Sequence, residues 1–149
     1  MTEAAVESAI PDMQSAPVSS IVAMIRVTDV VKSAEFYRNL GFEIGNCVPS
    51  EGPPFHWAWL YQPKAANWKT GANLMLVAGA APETAEVKAK AILFYVYVRN
   101  LKALREELLT KGIDAGDISY PEYLPEGEFR LQDCDGYVLM IAQSGKDTP

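Results

Sequence analysis

Few residues in this chain are equipped to do chemistry. Its 149 residues include one histidine, His56, and two cysteines, Cys47 and Cys134. Counting alone excludes any centre that needs two imidazoles from one chain, and Cys/His zinc spacing is absent. Two unpatterned cysteines imply no disulfide framework and fit a reducing cytoplasm, the expected location. There is no G-x-S-x-G elbow, no phosphate-binding glycine loop and no paired acidic spacing. The run DCDG, Asp133 to Gly136, lacks the downstream ligands of a calcium loop and reads as a tight turn. What remains is Glu128 and His56 as candidate acid–bases, the arginines Arg26 and Arg130, and the aromatic segment FHWAWLYQP at 55–63. A carboxylate half buried among apolar groups favours its protonated form and can shuttle a proton. An imidazole titrates near neutrality, although a lone histidine is more often a surface or hydrogen-bonded residue.

The elements that position these residues come in a repeat. MIRVTDVVKSAEFYRNLGFEIG (24–45) and FYVYVRNLKALREELLTKGIDAG (94–116) align so that Val27 meets Val98, Tyr37 meets Leu108, and Gly41 meets Gly112. Each is an alternating run, a polar turn, then an amphipathic stretch ending in glycine: strand, N-cap, helix, closing glycine. Asp29 and Asn100 are the N-cap candidates, Gly41 and Gly112 suit the left-handed closing position, and the second helix is expected over Leu101 to Thr110. The apolar strands GANLML (71–76) and GYVLMI (136–141) end the two units alike. The chain thus reads as two tandem β-α-β-β-β modules of α+β class, about 21–79 and 90–143. They form a curved mixed sheet with a concave cavity, each module curling four strands around one helix. Residues 1–20 read as a flexible or weakly helical tail without signal-peptide character, and 144–149 as a short C-terminal tail.

VTDVVKSAEFYRNLGF resembles the opening of the vicinal oxygen chelate superfamily, which holds glyoxalases, bleomycin-resistance proteins and extradiol dioxygenases. EFRLQDCDGYVLMI is similar to the family's "DPDGN-hydrophobic-Glu" ending, with Cys134 in place of Pro and Tyr137 in place of Asn. The resemblance covers roughly 21–143 and implies the fold strongly, but not the function, because one scaffold serves many jobs. Metal-dependent members carry ligands at positions that here are Val22, Met75, Leu93 and Met140. All four are apolar, and a divalent cation needs carboxylate, imidazole or thiolate donors. The resemblance therefore implies a metal-free copy with no cofactor. A non-standard donor set of His56, Glu128 and Cys47 is the alternative.

Strand alternation places Ala23, Ile25 and Val27 under the first helix and Met24 and Arg26 on the concave side. Phe94, Val96 and Val98 go under the second helix, leaving Leu93, Tyr95 and Tyr97 concave. Glu128, Arg130 and Met140 are concave as well. The predicted ligand-binding set is Met24, Arg26, Trp57, Trp59, Met75, Leu93, Tyr95, Tyr97, Glu128, Arg130 and Met140. Methionine is adaptable and tyrosine offers area plus a hydroxyl, which suits a flat or apolar organic molecule. Such a face filled by its own side chains would instead be plain core. Similar glyoxalases carry an arginine at the Arg26 position that binds a substrate carboxylate; a salt bridge to Glu128 is the competing role. Phe55, Trp57, Trp59 and Tyr61 share one face of their run and His56, Ala58 and Leu60 the other. The aromatic face would line the cavity or a dimer interface, and Trp68, in a loop, would lid the cavity.

Net charge of −6 argues against nucleic acid, and no apolar run is long enough to span a membrane. The expected partners are a small molecule and a second copy of the chain. The expected function is capture or sensing of an aromatic or amphipathic ligand, as in the bleomycin-resistance branch. The alternative is a glyoxalase-like lyase or isomerase using Glu128 or His56.

Overall fold

The computed structural model describes residues 17–79, 92–146 and 148. Most of the predicted N-terminal tail and the start of the second module, near residue 90, lie outside them. The first module runs β1 (Ala23–Val27), α1 (Val30–Arg38), β2 (Glu43–Val48), β3 (Trp57–Tyr61) and β4 (Asn73–Ala78). The second runs β5 (Leu93–Val98), α2 (Leu101–Thr110), β6 (Glu128–Gln132) and β7 (Val138–Gln143).

The repeat is visible at both helix ends. Asp29 accepts a hydrogen bond from the Lys32 amide at 3.1 Å, and Asn100 accepts one from Ala103 at 3.1 Å. Each thereby satisfies an amide that the first helical turn leaves free. At the other end the Phe42 amide donates to the Tyr37 carbonyl and the Ile113 amide to the Leu108 carbonyl. Gly41 (φ 90°) and Gly112 (φ 78°) turn left-handed to make those bonds possible. Tyr37 and Leu108, equivalent in the repeat, are both fully buried.

In each module the first strand pairs parallel with the last, and an antiparallel strand flanks the last on its other side. The sheet orders are β1-β4-β3-β2 and β5-β7-β6. Ile25, Val27, Ala58, Leu60 and Leu76 bury against α1, and Phe129, Leu131, Leu139 and Ile141 form the matching layer of the second module.

The second module departs from the expected four strands. Where β2 has its counterpart there is only an isolated bridge, Ser119 to Glu128, besides a bond from the Gly116 amide to the Arg130 carbonyl. The segment PEYLPEG between these points carries Pro121 and Pro125, which cannot donate to a ladder.

Buried polar bonds join the modules. The Tyr37 hydroxyl of α1 donates to Asp133 Oδ2 at 2.7 Å, and the Thr28 amide and hydroxyl donate to Asp135. The Tyr137 hydroxyl donates to the Arg26 carbonyl at 2.8 Å. DCDG is the tight turn expected: the Gly136 amide bonds the Asp133 carbonyl, and Asp133 Oδ1 accepts from the amides of Asp135 and Tyr137. Burial raises the Asp133 carboxyl above its usual range, opposed by the Tyr37 and backbone bonds. Burial, then the Asp133 charge, pushes the Tyr37 hydroxyl well up.

Candidate functional site

Register decides which side chains share a face. Met24 lies opposite Met75, which lies opposite Trp59; Arg26 lies opposite Val77, which lies opposite Trp57. These residues therefore occupy the side of the first sheet away from α1, while Ala58 and Leu60 are buried beneath. The face of the aromatic strand that alternation left open is thus settled. Trp57, Trp59 and Tyr61 join Met24, Arg26 and Met75. Phe55 leaves this stripe and packs against the core. His56, preceding β3, is exposed.

The aromatic wall is held in place by specific partners. The Trp59 ring stacks on Tyr61 with centroids 5.1 Å apart, and Trp68 meets Trp59 edge-on at 5.4 Å. The Trp59 indole N–H donates to Asn73 Oδ1 at 2.7 Å. The Asn73 amide in turn donates to the carbonyls of Trp68 and Gly71, so one side chain ties both the ring and the loop bearing Trp68. Gly45 sits at a register shift in β2 where a Cβ would come within 2.2 Å of the Trp59 ring. Its lack of a side chain is what lets the indole lie across the sheet.

On the second sheet Tyr95 lies opposite Met140, which lies opposite Arg130; Tyr97, Ala142 and Glu128 form the next row. Leu93, Tyr95 and Tyr97 are exposed on this face. Glu128 is only 4% exposed, yet it lies on the face away from the helix. Its Oε1 accepts from the Tyr95 hydroxyl at 3.3 Å and its Oε2 from the Tyr123 hydroxyl at 3.0 Å. Tyr123 comes from the irregular segment before β6, and periodicity carries no signal for such a residue. The bond with Tyr123, then burial and the Glu128 charge, pushes the Tyr95 hydroxyl well above an ordinary phenol, so it stays a donor. Among the described residues no ion pair joins Glu128 to Arg26 or Arg130.

The predicted residues are divided between the two sheets. A cavity of about 510 Å³ lies between the modules. Tyr37, Phe42 and Leu74 line it from one side, and Phe94, Tyr95, Val96 and Tyr97 of β5 from the other. Of the predicted set only Tyr95 and Tyr97 reach it. Met24, Arg26, Trp57, Trp59 and Met75 stand on the open face of one sheet; Leu93, Glu128, Arg130 and Met140 stand on the other. Trp68 packs on the aromatic wall instead of closing a lid over a cavity. Arg26 and Glu128 form no ion pair; Glu128 accepts from the hydroxyls of Tyr95 and Tyr123 instead.

The alternative metal site is likewise not assembled. Among the described residues no three His, Cys, Asp or Glu side chains gather as a donor group, so His56, Cys47 and Glu128 do not converge. At the positions where metal-dependent relatives hold a cation, Val22, Met75, Leu93 and Met140 offer alkyl groups and thioethers. These do not fit a hard or borderline divalent ion. No helix among the described residues is long and apolar enough to cross a membrane.

No protein-family model and no curated protein sequence matches the chain significantly. Solved structures do match. A bleomycin-binding protein in complex with bleomycin aligns at TM-score 0.63 and 18% identity, over 86% of this chain and 100% of the other. TnmS3, an antibiotic-binding protein from Streptomyces sp. CB03234, aligns at TM-score 0.62 and 20% identity, over 86% and 98%. The FosX fosfomycin resistance protein of Listeria monocytogenes, solved with Mn(II) and a dihydroxypropylphosphonic acid, aligns at TM-score 0.62 and 11% identity, over 84% and 90%. The chain therefore has the vicinal oxygen chelate fold, as its sequence motifs imply.

Proposed function

We propose that this protein captures a planar or amphipathic organic molecule, without a metal and without making or breaking bonds. The carrying observation is the aromatic wall. Trp59 is seated over Gly45, stacked on Tyr61, hydrogen-bonded by Asn73 and flanked by Trp68. Rings fixed in advance lose little entropy when a flat ligand stacks on them. Structural likeness to two antibiotic-binding proteins supports the same reading. A wall on one sheet is half a site. The open face of each sheet exposes large apolar residues, Met24 at 54% and Leu93 at 49%, and β1 and β5 are sheet edges. Exposed apolar faces and open edges favour pairing, so the first sheet of one copy and the second sheet of another would enclose the ligand in a homodimer.

The second reading, a lyase or isomerase, rests on the buried carboxylate of Glu128. It requires Tyr123 to leave Oε2 before that oxygen can take a proton. His56 is the weaker base candidate, since it is exposed and lies outside the β3 stripe.

A tryptophan-quenching screen of planar organic molecules tests the binding reading, run on the parent and on Gly45→Ala. Saturable quenching in the parent, weakened at least severalfold by a methyl that unseats Trp59, is the expected result. Equal quenching in both, or none in the parent, would overturn it. Elemental analysis should find less than stoichiometric zinc, nickel, manganese or iron, and light scattering should give the mass of a dimer.

A further inference from the structure

We infer that Glu128, Tyr95, Tyr97 and Tyr123 form a recognition subsite for an organic cation, an ammonium or an iminium nitrogen carried by the ligand. The inference rests on the binding reading above and adds the charge of what is bound.

The Glu128 carboxyl has almost no contact with water, and among the described residues no cationic side chain pairs with it. Removing a carboxylate from water without a counter-charge is costly, and two neutral hydroxyl donors offset only part of that. Its partner across the row on β7 is the small apolar Ala142, which offers the carboxyl no donor. The donors themselves point to a ligand. Tyr95 and Tyr97 stack with centroids 6.2 Å apart beside the carboxylate, and Tyr123 covers its other oxygen. Tyr123 is 70% exposed, so its ring can swing without disturbing the core. Aromatic faces around a carboxylate are what a desolvated organic cation requires: the ring quadrupoles and the buried charge attract it together. An arriving cation would take over Oε2 from the Tyr123 hydroxyl and keep the tyrosine rings as its walls. The chain's net charge of −6 would draw such a ligand in.

The test compares N-methylacridinium, a permanent cation, with neutral acridine in mildly alkaline buffer, by tryptophan quenching and calorimetry. The parent should prefer the cation by about tenfold, through the carboxyl and the ring faces around it. Glu128→Gln should abolish the preference. Because it relieves a buried charge, it should also melt no lower than the parent without ligand. Tyr123→Ala removes an exposed ring together with its hydrogen bond to Glu128 Oε2, and should cut the preference two- to threefold, through lost cation–π contact. If both probes bind equally in the parent, or the preference survives Glu128→Gln, the inference falls and the binding reading stands. If neither probe binds, both fall. A Glu128→Gln protein that unfolds, together with an unchanged preference in Tyr123→Ala, would assign Glu128 a structural role and overturn the inference.

Discussion

Two buried carboxylates in this molecule each accept a tyrosine hydroxyl, and their surroundings set them apart. Asp133 receives Tyr37 from the opposite module and two amides of its own turn, and every donor is itself buried. Glu128 receives two hydroxyls, one from a ring that stands mostly in solvent. The first has rigid, redundant partners and sits where the modules meet. The second has one movable partner and sits on an open face. A buried charge that is fully satisfied by fixed donors holds a fold together, whereas one left partly satisfied beside a mobile donor is available for binding.

The comparison is most exposed to Tyr37→Phe. That change strips a buried carboxylate of a side-chain donor and loosens the contact between modules. It should cost about 2 kcal/mol, the usual worth of a hydrogen bond to a charged group, and lower the melting temperature by roughly 5 °C or more. The sign with pH is fixed by Asp133. Burial raises its folded pKa, so the carboxyl contributes stability that is present at acid pH and lost as pH rises through the folded value. The Tyr37 bond works the other way, favouring the charged form. The penalty of Tyr37→Phe should therefore be full at neutral pH and shrink as Asp133 protonates. Thermal melts of both proteins across that range measure it; a pH-independent penalty would mean that lost packing, not the carboxylate, is responsible.

Tyr123→Phe is the counterpart on the other carboxylate and should be much milder, within about 1 kcal/mol, since an exposed donor competes with water. A loss equal to that of Tyr37→Phe would erase the distinction between the two sites. Met140→Glu sharpens it from another side. The side chain lies between Tyr95 and Arg130 in its row, so a new carboxylate there adds a second anion near Glu128. An apolar ligand should bind more weakly, on the order of 1–2 kcal/mol for a desolvated polar group, with no gain in metal content because three of four donor positions stay apolar.

Much of this is legible in the sequence. The helix caps Asp29 and Asn100, the closing glycines and the limits of α2 follow from local rules that act over four or five residues, and local rules are what sequence displays. Alternation also separated Ala58 and Leu60 from Trp57, Trp59 and Tyr61. It could not say which set faced the helix, because that depends on Met75 lying opposite Trp59 across a sheet. The second module's missing strand shows the opposite failure. There the repeat argued for a strand, yet the stretch aligned with β2, Asp114 to Ser119, forms only the bridge from Ser119 to Glu128. The capture of Glu128 by Tyr123 was out of reach, since an aperiodic segment gives no face to assign. The concave residues pooled from the sequence stand on two sheets, a longer-range relation still. Periodicity places residues on a sheet but does not place one sheet against another.

The smallest effect lies beside the structural carboxylate. Cys134 stands between Asp133 and Asp135 and is exposed as a residue. Burial around the sulfur, followed by the charges of those two aspartates, pushes its thiol above the ordinary value. Thiolate is the reactive form, so Cys134 should alkylate with iodoacetamide more slowly than a free cysteine in the same buffer, despite its accessibility. The rate should keep climbing at pH values where a free thiol has already levelled off. In Tyr37→Phe the turn keeps both aspartates, so the slow rate should persist in the folded fraction. Mass spectrometry of modification at Cys134 over time reads this directly. A rate equal to that of a free thiol would show that the turn's negative charge does not reach the sulfur. The contrast between a tightly held carboxylate and an available one would then rest on hydrogen-bond geometry alone.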